Sequence, residues 1–181
     1  MPELDKLYLR SQDGTRDLAP SIDELMESIE PYGAGISTGN SVLDVILSEK
    51  LSLCAQKEIV CVPCLDGTLF DFVQPLDLCT LAGNALDNAI ESCAQIPDPA
   101  RRVIRLHALR RGETLVFTVR NTFQNRPVLK NGLPATTKAD RQNHGCGLQN
   151  MSAITEGYQG VLNCRIEGEE FVLSVLLTND T

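Results

Sequence analysis

Between Leu81 and Cys93 the chain runs LAGNALDNAIESC. Leu81, Ala82, Ala85, Leu86, Ala89 and Ile90 recur at helical spacing and make one continuous apolar stripe. Asn84, Asn88 and Glu91 stand at i, i+4 and i+7, so they form one polar ridge beside that stripe. Asparagine is a poor helix former because its amide competes for backbone hydrogen bonds. Two of them stacked in mid-helix, bordered by apolar residues, need a reason. An amide oxygen can ligate Mg²⁺ without adding charge, and an amide can also hydrogen-bond a phosphate. The plain alternative is a solvated polar face.

A long helix with an apolar stripe requires a core to lie on. At 181 residues with 43% apolar content, the chain can build one domain of ordinary size plus a short extension. There is no Trp and aromatics are 4%, so that core is aliphatic. The net charge of −8 argues against nonspecific nucleic-acid binding, which needs a basic face. No apolar run approaches the length of a membrane span, and no charged-then-apolar leader opens the chain. The expected location is the cytoplasm. Seven cysteines, scattered along apolar segments, read as small buried hydrophobes in a reducing compartment. Cys61-Val-Pro-Cys64 has CxxC spacing. A structural zinc would need a second pair, and a redox pair usually opens a helix, whereas this one ends a strand-like run.

The order of elements follows from periodicity and punctuation. Met1–Arg16 is polar and is expected to be poorly ordered. Asp17–Glu30 carries Leu18, Ile22, Leu25, Met26 and Ile29 at helical spacing, stopped by Pro31 and the glycines after it. Thr38–Lys57 has a broad stripe of Val42, Leu43, Ile46, Leu47, Leu51, Leu53 and Cys54, with Ser37, Thr38 or Asn40 as cap. Such a stripe is often half of a helical hairpin buried in a dimer. Glu58–Pro63 is a strand and Leu65–Phe72 a loop. Pro75 and Asp77 suit the first turn of the long helix, which ends near Ala94. Arg102–Leu109 and Glu113–Arg120 read as a hairpin, as do Gly160–Ile166 and Phe171–Thr178. His107 sits in the first of these strands, where a structural or exposed role is the plainer reading. Gly147–Tyr158 is a helix. The pattern implies a two-layer α/β sandwich, with helices on one face of a mixed sheet.

Thr122–Asn143 is too long and aperiodic for an ordinary connection, which makes it a functional lid or a disordered segment. Val128, Leu129 and Leu133 are its apolar anchors. His144-Gly-Cys-Gly-Leu then opens a helix, where free N–H groups and the positive helix end favour an anion. It is not a Walker loop, because no GxxxxGK[ST] occurs. Lys138 is a phosphate ligand or an exposed loop lysine, and His144 a phosphate or lid contact or a hinge residue. Thr136 and Thr137 can assist through their hydroxyls.

In order along the chain come NALDNAIESC, VRNTF at Val119–Phe123, TTK at Thr136–Lys138 and HGCGLQN at His144–Asn150. Together they resemble the ATP-binding domain of the GHKL superfamily, which includes gyrase, a heat-shock chaperone, histidine kinases and mismatch-repair ATPases. The nearest group is the catalytic domain of quorum-sensing, peptide-responsive sensor histidine kinases, and the resemblance runs from about Ile36 to Thr178. It implies the Bergerat fold, with ATP and Mg²⁺ as cofactors. Asn88 becomes the metal ligand, with Glu91 orienting its shell or pairing with a cation. Asn84 stands where hydrolytic members place a water-activating Glu, and an amide cannot be a general base. Asn84 and Lys138 are thus the catalytic candidates, for phosphoryl transfer rather than rapid hydrolysis. Asn121 takes the place of the adenine-binding Asp of a DxGxG motif, whose glycines are replaced by Thr122 and Phe123. Thr136, Thr137, Lys138, His144, Gly145, Gly147 and Leu148 complete the nucleotide contacts.

The same resemblance makes TGNSVLD at Thr38–Asp44 the opening of the second helix of a dimerisation hairpin, so residues 1–57 would be an extension and 58–181 the catalytic domain. The phosphoacceptor His of the first helix is not in the sequence, whose histidines are His107 and His144. The implied partners are a response regulator and the chain's own dimerisation domain in a homodimer. Contact with a membrane would come only through an upstream sensor, and no nucleic acid is expected. Two other readings stay open: a non-catalytic nucleotide-binding regulatory module, and a serine-kinase anti-sigma factor.

Overall fold

The computed structural model describes residues 36–130, 132–134 and 145–179. The expected helix at Asp17–Glu30 and the residues Thr136, Thr137, Lys138 and His144 lie outside the described residues. One compact unit comprises Ile36–Thr181.

Helix α1 spans Ser41–Gln56. Asn40 is its cap and accepts from the Leu43 N–H at 3.1 Å. Thr38 donates from its N–H and its hydroxyl to Asp44 Oδ1 at 2.7 and 2.6 Å, which closes the helix start on itself. Strand β1 (Val60–Cys64) and a 3₁₀ turn (Gly67–Phe70) follow. The long helix α2 is Pro75–Ala94, with Pro at its start and Asp77 in its first turn. After a second 3₁₀ turn (Pro99–Arg101) come β2 (Val103–Arg111) and β3 (Thr114–Thr122). Gly112, at φ 59, makes the turn between them in a conformation that favours glycine. The short strands β4 (Leu129–Lys130) and β5 (Leu133–Pro134) are followed by α3 (Gly145–Gly157), β6 (Val161–Glu167) and β7 (Glu170–Thr178).

The main sheet has five strands in the order β1-β2-β3-β7-β6. Only β1 and β2 run parallel, because α2 carries the chain back across the sheet between them. The remaining neighbours are antiparallel. The sheet is therefore mixed, and the two-layer expectation holds. Strand alternation sorts the residues by face. Leu115, Phe117, Val119 and Asn121 of β3 are all buried, and Phe117 meets Phe70 edge to face at 5.5 Å.

The apolar stripe of α1, which the sequence offered to a dimer partner, is buried within this unit. Leu43, Ile46, Leu47, Leu51 and Cys54 belong to the same core as α2 and the sheet. Lys50 also reaches Asp87 of α2 at 2.8 Å. The reason is geometric: α2 presents a stripe broad enough to face the sheet on one side and α1 on the other.

The CxxC spacing does not create a site. Cys61 is buried on the face with Leu106, and Cys64, three residues on in a strand, lies on the opposite face. Cys61 instead meets Cys54, and that hydrogen bond together with burial pushes its thiol well up. Burial pushes Cys164 up to about 12. These thiols act as core residues, as the sequence implied.

Of the three expected anchors in the long connection, Leu129 and Leu133 pack against the core, whereas Val128 is 67% exposed and anchors nothing. In the β4–β5 pairing Leu129 stands opposite Pro134 and Leu133 opposite Lys130, a hairpin too short to leave a period in the sequence. The Gly132 carbonyl accepts from the Cys164 N–H at 2.9 Å, so the hairpin covers part of the β6 edge.

Candidate functional site

The long helix α2 begins where its first N–H groups need acceptors. Gln74, its cap residue, offers no side-chain bond. The Tyr158 hydroxyl fills that role from beyond the far end of α3: it accepts from Gln74 N–H at 2.9 Å and donates to Asp77 Oδ2 at 2.8 Å. Burial pushes the Tyr158 phenol up, and Asp77 adds to that rise. The two helices are thereby tied at the start of α2.

Farther along α2 the polar ridge meets α3. Asn84 donates from Nδ2 to Thr80 O at 2.8 Å, which leaves its oxygen on the other side. A Cβ on Gly147 would stand 2.9 Å from that oxygen. The start of α3 thus lies hard against Asn84, and glycine is what permits the approach. Gly145 is the first residue of α3 and Leu148 is half-buried against the core. Asn88, one turn beyond Asn84, is half-buried, and its side chain makes no hydrogen bond among the described residues. Its neighbour Asp87 is turned away to Lys50. Glu91, another turn on, is exposed.

The ridge ends at β3. Ser92 Oγ and Cys93 Sγ both reach the Thr122 carbonyl at 3.5 Å. Beside it, Asn121 is 2% exposed on the helix-covered face, between Ile104 and Phe171 in register. Its Nδ2 donates to the Thr122 carbonyl at 2.8 Å. Its oxygen takes no hydrogen bond among the described residues. Arg120, one residue earlier, lies on the opposite face and pairs with Glu167 and Glu170.

Asn84 and Asn88 therefore lie along α2 with Gly147 and the α3 start at one end and the buried Asn121 amide at the other. From Asn84 to Ser92 the distance along the helix is about 12 Å. That suits an elongated ligand with a negative end and a polar aromatic end. The residue types fit a nucleotide: uncharged amides able to bond oxygen or a metal, a glycine where a backbone must come close, and an acceptor in an apolar wall. Among the described residues no group of three His, Cys, Asp or Glu side chains could hold a metal ion. Sequence reasoning missed Thr122, Tyr158 and the Lys50–Asp87 pair. A hydroxyl residue directly after Asn121 was a usable signal for the first. The other two depend on contacts between distant elements.

Residues 73–178 match the GHKL domain family HATPase_c_5, which spans more than half of the chain. The chain belongs to this ATP-binding family, as its motifs implied. Among solved structures it is similar to a nucleotide-free catalytic domain of the histidine kinase ThkA, at TM-score 0.60 and 14% identity over 78% of this chain and 92% of that one. A second form of the ThkA domain aligns at TM-score 0.57 and 13% identity, over 76% and 90%. The histidine kinase AdeS of Acinetobacter baumannii aligns at TM-score 0.53 and 13% identity; 78% of this chain is covered, but the match spans 64% of AdeS. At these identities the likeness concerns the fold. No curated protein matches the chain in sequence. None of the described helices is long and apolar enough to cross a membrane.

Proposed function

We propose that this chain is the Mg·ATP-binding catalytic domain of a sensor histidine kinase in a two-component system, of the peptide-responsive quorum-sensing group. The observation that carries the reading is the α2 ridge: Asn84 against Gly147 at the start of α3, then the Asn88 side chain and, at the far end, the Asn121 oxygen, neither of which takes a hydrogen bond among the described residues. Bound Mg·ATP supplies the transferable phosphoryl group and neutralises its charge. The chain's own residues position it. The α3 N-terminus holds phosphate oxygens through backbone N–H groups. Asn88 contributes the metal ligand, Glu91 the outer shell, and Asn121 the acceptor for the base. Thr136, Thr137, Lys138 and His144 act from the segment before α3.

Asn84 cannot remove a proton from water, so the site lacks a general base at the position where one would drive hydrolysis. Transfer to a protein histidine on a dimerisation helix follows, and then to an aspartate of a response regulator. The working location is the cytoplasm, with the membrane reached only through a separate sensor region.

The test is Asn88→Ala in calorimetric titration with a nonhydrolysable ATP analogue. Mg-dependent affinity should fall about tenfold or more while the fold persists, since the side chain is not in the core. Unchanged affinity in a folded variant would remove Asn88 from the metal site and, with it, the main support for the reading.

A further inference from the structure

Asparagine, unlike aspartate, has two chemically different ends. A carboxylate at the base site accepts in either orientation, whereas an amide accepts from one orientation and donates from the other. Replacing Asp by Asn therefore leaves open which end meets the base, unless something holds the amide. The structure shows what holds it. The Asn121 nitrogen lies 2.8 Å from the Thr122 carbonyl, where only an N–H group is tolerated, because an oxygen there would be repelled. That carbonyl is itself held. Thr122 is the last residue of β3, and its hydroxyl donates to Arg101 O at 2.7 Å and accepts from Val103 N–H at 3.1 Å. The side chain thus supplies the rung that ties the end of β3 to the start of β2. Ser92 Oγ and Cys93 Sγ approach the same carbonyl from α2.

We propose that Thr122 is a positioning residue that locks the Asn121 amide with its oxygen outward, and so makes the site selective for 6-aminopurine over 6-oxopurine nucleotides. The amino group of adenine donates to the outward oxygen, whereas a 6-oxo group is an acceptor and meets another acceptor. If the hydroxyl is removed, the end of β3 keeps its pairing with β7 at Thr122–Glu170 but loses its tie to β2; the carbonyl is freed to shift, and the amide can rotate to present its N–H₂ to a 6-oxo base. This inference rests on the nucleotide-binding reading above.

The experiment measures the affinities of nonhydrolysable analogues of ATP and of its inosine counterpart for the wild type, Thr122→Val and Thr122→Ser. The valine variant keeps the shape and loses the hydroxyl; the serine variant keeps the hydroxyl. The wild type should prefer the adenine analogue. Thr122→Val should reduce that preference about tenfold, and Thr122→Ser should retain it. A loss confined to packing would weaken both ligands alike and leave the ratio unchanged, which would overturn the role. Binding of neither analogue to the wild type would instead defeat the nucleotide reading itself. An NMR measurement on the unmutated protein covers the case in which Thr122→Val does not fold. The Asn121 side-chain N–H₂ protons should exchange slowly with solvent, and rapid exchange would overturn the lock.

Discussion

Gly147 shows how narrowly the site is built at the residue scale. A methyl group there would stand 2.9 Å from Asn84 Oδ1, nearer than carbon and oxygen comfortably approach. Either Asn84 leaves its bond to Thr80 or the start of α3 moves outward. Gly147→Ala is therefore expected to lower nucleotide affinity about tenfold while changing the melting temperature little, because alanine itself suits a helix. Parallel titration and thermal melting would check this, and equal losses in both would mean that the contact is structural. On the far face of the sheet, Arg165 and then Arg120 hold the Glu167 carboxyl below the usual carboxylate range. A carboxylate with a depressed folded value contributes stability above its unfolded value, about 4.3, and loses it as pH falls through the folded value. Glu167→Gln should thus be less stable than wild type at pH 7, and the gap should close as the pH falls through the depressed folded value. A gap independent of pH in urea titrations would contradict the assignment.

At the scale of elements, α2 is the common support. It packs on α1 and the sheet, and its polar ridge faces the start of α3. Its placement is set at both ends: Tyr158 bonds its first turn, and Ser92 and Cys93 bond the end of β3. Lys50 and Asp87 add a tie between α1 and α2; burial alone would lower the Lys50 value, but Asp87 and Glu49 outweigh it and raise it. Leu47 is fully buried in α1. Leu47→Ala should destabilise the domain by about 2–5 kcal/mol, measured by denaturant unfolding. A cost typical of a surface site would mean that α1 is not part of this core. Gly160 is equally constrained, since a Cβ there would run into the Leu176 carbonyl. Gly160→Ala is expected to displace the α3–β6 connection and to reduce the soluble yield of folded protein.

At the scale of the whole molecule, the buried position of α1 has a direct consequence. A chain beginning at Glu58 would expose the α2 face that α1 covers, so it should show no cooperative thermal transition, by contrast with the full chain. The proposed phosphoryl transfer would also need a histidine presented to the nucleotide. His107 is in strand β2, on the face with Arg105 and away from α2. The chain's other histidine, His144, stands just before α3 in the sequence and outside the described residues. On the proposed reading neither is the acceptor, so the chain should acquire no acid-labile phosphate from radiolabelled ATP; a stable phosphohistidine at either position would overturn the missing-acceptor argument.

What the sequence determined by itself is everything carried by local periodicity and by motif order. The stripe of α2, the two long hairpins and the glycine-opened α3 were all legible, because each depends on neighbours a few positions away, and so was the placing of Asn84 and Asn88 on one ridge of α2. Three things were decided only by tertiary structure. The stripe of α1 was read from the sequence as half of a dimerisation hairpin, and the structure places Leu43, Ile46, Leu47, Leu51 and Cys54 in the core beside α2, which offers a second apolar side. The CxxC spacing lost its meaning once strand alternation sent Cys61 and Cys64 to opposite faces. The orientation of the Asn121 amide followed from Thr122, Arg101 and Val103, which meet only when β3 closes on β2. Periodicity reports which side of an element is apolar, but not what will cover it or which polar groups will meet across the sheet.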